Sequence, residues 1–167
     1  MDANPYARYL DGRPILEILS ATPAILVGLA ESLGPDRLAA APAPGKWSPA
    51  KILAHLADTD LAFGYRLRQI LAQNPAKYPG EPAHSIQPFD QDRWAASYEG
   101  IPAQQALAAF TALREWNLLL IRNAPSSAGA IPATHPERGS LTFQTIIETL
   151  AGHDLNHLQQ LQKLAEQ

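Results

Sequence analysis

Apolar side chains recur every three or four residues along LTFQTIIETLAGHDLNHLQQLQKLAEQ, the last stretch of the chain. Ile146, Leu150, Leu161 and Leu164 fall on one stripe of a 3.6-residue period, and His153 and His157 fall on the same stripe. Gln144, Glu148, Asp154 and Gln162 occupy the opposite side. The same period runs through 49–73, where Ile52, His55, Leu56, Thr59, Phe63, Leu67 and Ile70 share a face. Nowhere do β-branched and polar residues alternate over a strand's length. The pattern therefore predicts an all-α fold whose helices bury one stripe each.

Four long helices are expected. The first covers about 14–33, with a kink or restart at Thr22-Pro23 and a stop at Gly34-Pro35. The second opens at an Ser48 N-cap with Pro49 in its first turn and ends before Asn74-Pro75. The third covers about 102–123, and the fourth runs from Thr142 or Phe143 to about 165. Residues 74–101 form a connection long enough to cross the bundle, with one short helix in FDQDRWAASY. A crossover there lets the second and third helices run parallel, so the expected architecture is a single-domain four-helix bundle over 1–167.

The composition narrows the function. With 167 residues, 46% apolar and 17% charged, the chain can bury one core. A net charge of −3 and no basic stripe argue against nucleic-acid binding. The absence of cysteine removes disulfides and thiolate metal sites. The N-terminus MDANPYARYLDGRP lacks an apolar signal region, and no run of about 18 uninterrupted apolar residues suggests a membrane span. A cytoplasmic protein acting on a small molecule is the expectation.

Three histidines are thus aimed inward from two helices: His55, His153 and His157. Residues four apart sit one turn apart on one face, so two imidazoles there can share an ion. If the second and fourth helices are antiparallel, His55 comes level with the pair to within about one turn, at about 1.5 Å of rise per residue. Burying several polar rings without partners is costly, and one divalent ion satisfies all three. A histidine cluster around buried water is the competing account.

These residues also resemble a known family. GKWSPAKILAHLADTDLAFGYRLRQIL, FDQDRWAASY and HPERGSLTFQTIIETLAGHDLNHLQQL are similar to the second helix, the post-crossover segment and the last loop and helix of the DinB/YfiT-like metalloenzymes. The resemblance spans essentially the whole chain. It implies an up-down-down-up four-helix bundle with one divalent metal ion, zinc or nickel, on His55, His153 and His157. It implies a range of activities, mostly transfer or isomerisation using a low-molecular-weight thiol as cosubstrate, with hydrolysis next. Family members often pair, so a homodimer is allowed. Three nitrogen ligands leave open positions on an ion, the pattern of a catalytic site. A non-catalytic metal- or ligand-binding bundle is the alternative.

Other residues are candidates for the surroundings. Asp58, one turn from His55, could be a ligand, a base or an orienting group, or a solvated carboxylate. Arg66 returns to the face of His55 and could hold a substrate carboxylate or reach solvent. Trp47 and Trp94 could wall a pocket or anchor the core, and His135 could line its mouth, although His84 and His135 sit in loops where exposure is expected. Tyr98 and Trp116 are expected to pack between helices. Arg114 and Glu115 read as a solvated face, and Asp154 as surface.

Overall fold

The computed structural model describes residues 3–166. Its helices are α1 (Ile15–Ala39), α2 (Pro49–Ala72), α3 (Gln91–Ala95), α4 (Ala103–Asn123) and α5 (Phe143–Ala165). The expected third and fourth long helices are α4 and α5, and α3 is the short helix of FDQDRWAASY. Local signals fix their starts. Ser48 Oγ accepts from the Lys51 amide at 3.3 Å, with Pro49 next in the first turn. Thr142 Oγ1 accepts from the Thr145 amide at 3.2 Å to open α5. Asp90 Oδ1 accepts from the amides of Asp92 and Arg93 at 3.0 and 3.1 Å to open α3.

The first helix departs from expectation at Thr22-Pro23. Helical backbone angles continue through Pro23, and the break falls at Gly34, whose φ of 70° and ψ of 169° leave the helix before Pro35 opens a last turn. Pro23 has no N–H for the Leu19 carbonyl, the usual cost of an internal proline. Here Arg114 Nη1 donates to that carbonyl at 3.1 Å instead.

The bundle has the up-down-down-up order. Helix α2 packs along α4 and α5, and α1 packs along the same two, while α1 and α2 meet only slightly. Asp60 lies against Arg114 and Arg68 against Asn117, so α2 and α4 run parallel. Ser20 meets Arg122 across the start of α1 and the end of α4, so that pair is antiparallel. The long connection after α2 makes the crossover. The core between the helices includes Leu19, Leu26, Leu56, Leu67, Phe110 and Leu150, each with at most 1% of its surface exposed.

Three short strands are an addition to the all-α expectation: β1 (His84–Ser85), β2 (Pro132–His135) and β3 (Gly139–Thr142). Strand β2 lies in the middle, parallel to β1 and antiparallel to β3. The strands are too short for a two-residue alternation to stand out in the sequence. Ala133 and His135 point inward on β2 and His84 on β1, so both loop histidines are buried rather than exposed.

The middle of the bundle corrects two further expectations. Arg114 and Asp154, read as solvated, are both wholly buried. The Arg114 guanidinium reaches Asp60 Oδ2 and Asp154 Oδ2 at 2.6 Å each and Asp60 Oδ1 and Asp154 Oδ1 at 3.1 Å each. Asn117 Nδ2 adds donations to the Asp60 carbonyl at 2.8 Å and to Asp60 Oδ1 at 3.1 Å. With the Leu19 carbonyl included, one guanidinium on α4 bonds to groups on α1, α2 and α5. Burial pulls the Arg114 pKa down, and the two carboxylates more than offset it, so the group is held protonated. Trp116, expected between helices, is 62% exposed. It carries the Arg68 guanidinium 5.7 Å from its ring. Glu115 is exposed and Tyr98 buried, as expected.

Candidate metal centre

One end of this polar core is built of imidazoles. His55 comes from the second turn of α2 and His153 and His157 from the middle of α5 and one turn beyond, and all three are buried. The antiparallel run of α2 and α5 brings them level. His55 Nε2 lies 2.9 Å and His157 Nε2 3.2 Å from His153 Nε2. Candidate ligand atoms of the three all lie within 4.8 Å of one another. Two ligand nitrogens about 2.0–2.1 Å from a tetrahedral zinc lie about 3.3 Å apart, so the spacing fits a shared ion.

The protonation states point the same way. Burial, then the neighbouring His157, lowers the His55 pKa to about 3. Burial lowers that of His157 to about 4. Burial also takes His153 well below the usual histidine range. Neutral rings at pH 7 offer lone pairs, as a metal ligand must. The Gln160 side-chain oxygen lies 3.2 Å from His157 Nδ1, so that nitrogen carries the proton and Nε2 the lone pair. His55 Nδ1 and His153 Nδ1 are buried without a partner among the described residues. Without an ion the facing Nε2 atoms cannot all be satisfied by one another, because each has a single proton or a single lone pair to offer.

A cavity of about 290 Å³ opens beside His55 and His153. Thr59, Phe63, Arg66, His135 and Arg138 line it, with Tyr6 against His153. The Tyr6 and His153 rings meet edge to face, 5.2 Å apart. Gly152 makes that approach possible, since a Cβ there would meet the Tyr6 carbonyl oxygen at 2.6 Å. On the other side the Trp47 ring packs 5.1 Å from His55.

The remaining candidates divide. Arg66 and His135 stand in the cavity, and Trp47 stands against the cluster. Asp58 is turned away: its carboxylate accepts from the Tyr98 hydroxyl at 2.7 Å. Trp94 packs on Phe89, 4.7 Å between centroids, and does not line the cavity. Tyr6, Arg138 and Gln160 were not anticipated. Gln160 could have been found, one turn beyond His157 on a helix. Tyr6 and Arg138 lie outside the long helices, where no period reports which way a side chain points.

Crossover bundle and histidine cluster together define a helical protein with a core site fit for a metal ion. The chain belongs to the DinB superfamily, whose family model matches residues 18–161. A protein of Oceanobacillus iheyensis described as a "putative metal-dependent hydrolase" is 26% identical over 146 residues, covering 86% of this chain and 80% of that one. The fold is also that of YfiT from Bacillus subtilis, described as a "probable metal-dependent hydrolase with an unusual four-helix bundle topology". That structure matches with a TM-score of 0.79 at 19% identity, over 91% of this chain and 84% of the other.

Proposed function

We propose that the protein binds one divalent metal ion through His55, His153 and His157 and hydrolyses a small molecule at its open side. The convergence of three buried, neutral Nε2 atoms beside a cavity carries this reading. Such an ion supplies Lewis acidity, polarising a carbonyl and acidifying water. The chain's own part is to hold three lone pairs together, to fix the His157 tautomer through Gln160, and to keep the rings out of bulk water. Zinc and nickel are the proposed ions, since imidazole nitrogens suit both. The Oceanobacillus relative's description favours hydrolysis. Nothing among the described residues singles out a thiol cosubstrate, so transfer stands second. A non-catalytic metal site would be closed, and the adjoining cavity favours an open one.

Metal content per chain, compared between wild type and a His153→Ala/His157→Ala double variant, tests the reading. The expected result is close to one zinc or nickel per wild-type chain and almost none in the variant. Equal content in the two would overturn it. Ester and amide substrates offered to metal-loaded and chelator-stripped protein then test hydrolysis.

A further inference from the structure

The cavity beside the histidines is lined by two arginines, Arg66 and Arg138, that form no salt bridge among the described residues. Arg66 is 8% exposed, yet its guanidinium makes one hydrogen bond among the described residues, from Nη2 to the Gln87 carbonyl at 3.0 Å. Its plane is held by Phe63 and Phe89, whose ring centroids lie 4.9 and 5.5 Å from the guanidinium carbon. A guanidinium so fixed, with N–H groups to spare, is already arranged to receive a forked acceptor. Arg138 lines the same cavity and is close enough that its charge adds to burial in lowering the Arg66 pKa to about 10.

The wall sets one carboxylate against the pair. Glu137, the acidic residue of the lining, is exposed, and neither arginine forms a salt bridge among the described residues. Thr59 is 1% exposed and lines the cavity, and its buried Oγ1 has no hydrogen-bond partner among the described residues. A buried hydroxyl is therefore unpaired, and the guanidinium beside it, with one hydrogen bond to the protein, has N–H groups free for something that enters the cavity. Three neutral imidazoles would leave a bound divalent ion's full charge in place, which raises the demand for an anion further.

We propose that this cavity is an oxyanion subsite in which Arg66 and Arg138 hold a carboxylate or phosphate group of a small substrate. Thr59 Oγ1 is placed to donate to the same group. The subsite stands on the arginines alone; the link to a substrate whose reacting bond reaches the ion rests on the metal reading above. The class of molecule is then a small organic anion, and neutral substrates are disfavoured.

Calorimetric titration of the full chain, zinc-loaded and chelator-stripped, with succinate, inorganic phosphate and neutral succinamide tests this. At least one anion should bind tenfold or more tighter than succinamide in the stripped protein. Succinate as the tighter ligand identifies a carboxylate subsite, and phosphate as the tighter one a phosphate subsite. Arg138→Met should weaken that anion at least tenfold while zinc content stays at the wild-type value. Arg138 is only half-buried, so this variant keeps its fold even if Arg66→Met does not. Anions no tighter than succinamide, or full affinity in Arg138→Met and in a folded Arg66→Met, would overturn the proposal. Arginine-dependent anion binding in a protein that takes up no zinc would retire the metal reading and leave the subsite standing. Zinc uptake without anion binding would do the reverse.

Discussion

Two buried polar clusters sit on the same helices, a turn apart. His55 and Asp60 both come from α2, and His153, Asp154 and His157 all come from α5. The clusters differ in how they are satisfied. Around Arg114, each carboxylate and each guanidinium nitrogen has a partner inside the protein. Among the histidines, two Nδ1 atoms have none and three Nε2 atoms face one another. A closed network specifies how helices pack. An open one, at similar depth, is a place kept for a ligand. Depth alone therefore does not separate structure from function here; the count of satisfied groups does.

Substitution should separate the two most sharply. Arg114→Met leaves two carboxylates buried without a counter-charge, and breaking such a network costs about 3–5 kcal/mol. Urea denaturation should show that loss equally with and without zinc. His153→Ala should behave in the opposite way: most of its effect should vanish when both proteins are stripped of metal. A metal-independent loss in His153→Ala as large as that of Arg114→Met would erase the distinction.

Acid should also discriminate. In metal-free protein His55 and His157 have folded pKa values of about 3 and 4, below the ordinary histidine value of 6.5. The unfolded chain then binds more protons below pH 6.5, so stability is intact above that value and falls as pH drops toward 4. At pH 5 the loss is about 2 kcal/mol for each ring, at about 1.4 kcal/mol per pH unit. Denaturant titrations between pH 7 and pH 5 should show it, and His55→Phe should flatten the slope. An unchanged slope in that variant would place the acid sensitivity elsewhere.

The histidine cluster was legible in the sequence and the arginine network was not, for one physical reason. His55, His153 and His157 lie on apolar stripes, so the helical period announces their direction. Asp60, Arg114 and Asp154 were hidden by residue type and not by position: each lies three or four residues from buried apolar neighbours on its own helix (Leu56 and Phe63, Phe110 and Leu118, Leu150 and Leu158), but a charged side chain reads as solvated until its partners on other helices are known. Asp154 is adjacent to His153, and a helix turns about 100° per residue. The two neighbours face different helices and both are buried, which a two-sided reading of α5 could not express. Helix α1 blurred its own pattern, being apolar on both faces, with Leu16, Ile25 and Val27 exposed. Its passage through Pro23 depends on Arg114, a residue far away in sequence. Tyr6 and Arg138 were invisible for want of any period.

The smallest effect probes how tightly the closed network is fitted. Gly64 lies on α2 one turn after Asp60, where a Cβ would run into the Asn117 side-chain amide. That amide donates to the carbonyl and carboxylate of Asp60 and accepts from Arg68 Nη1 at 2.8 Å. In an open helix, glycine to alanine gains about 1 kcal/mol from propensity. Here Gly64→Ala must displace Asn117, which strips Asp60 of two donations and forces the buried Asn117 amide to find new partners, at about 1–3 kcal/mol. The expected net result is a loss of about 1–2 kcal/mol in chemical denaturation, with metal content unaltered. Adding Asn117→Ala should remove most of the penalty, since the clash and the lost bonds share that side chain. A stabilised Gly64→Ala would mean that the network has slack, and that its closure is looser than the hydrogen-bond geometry implies.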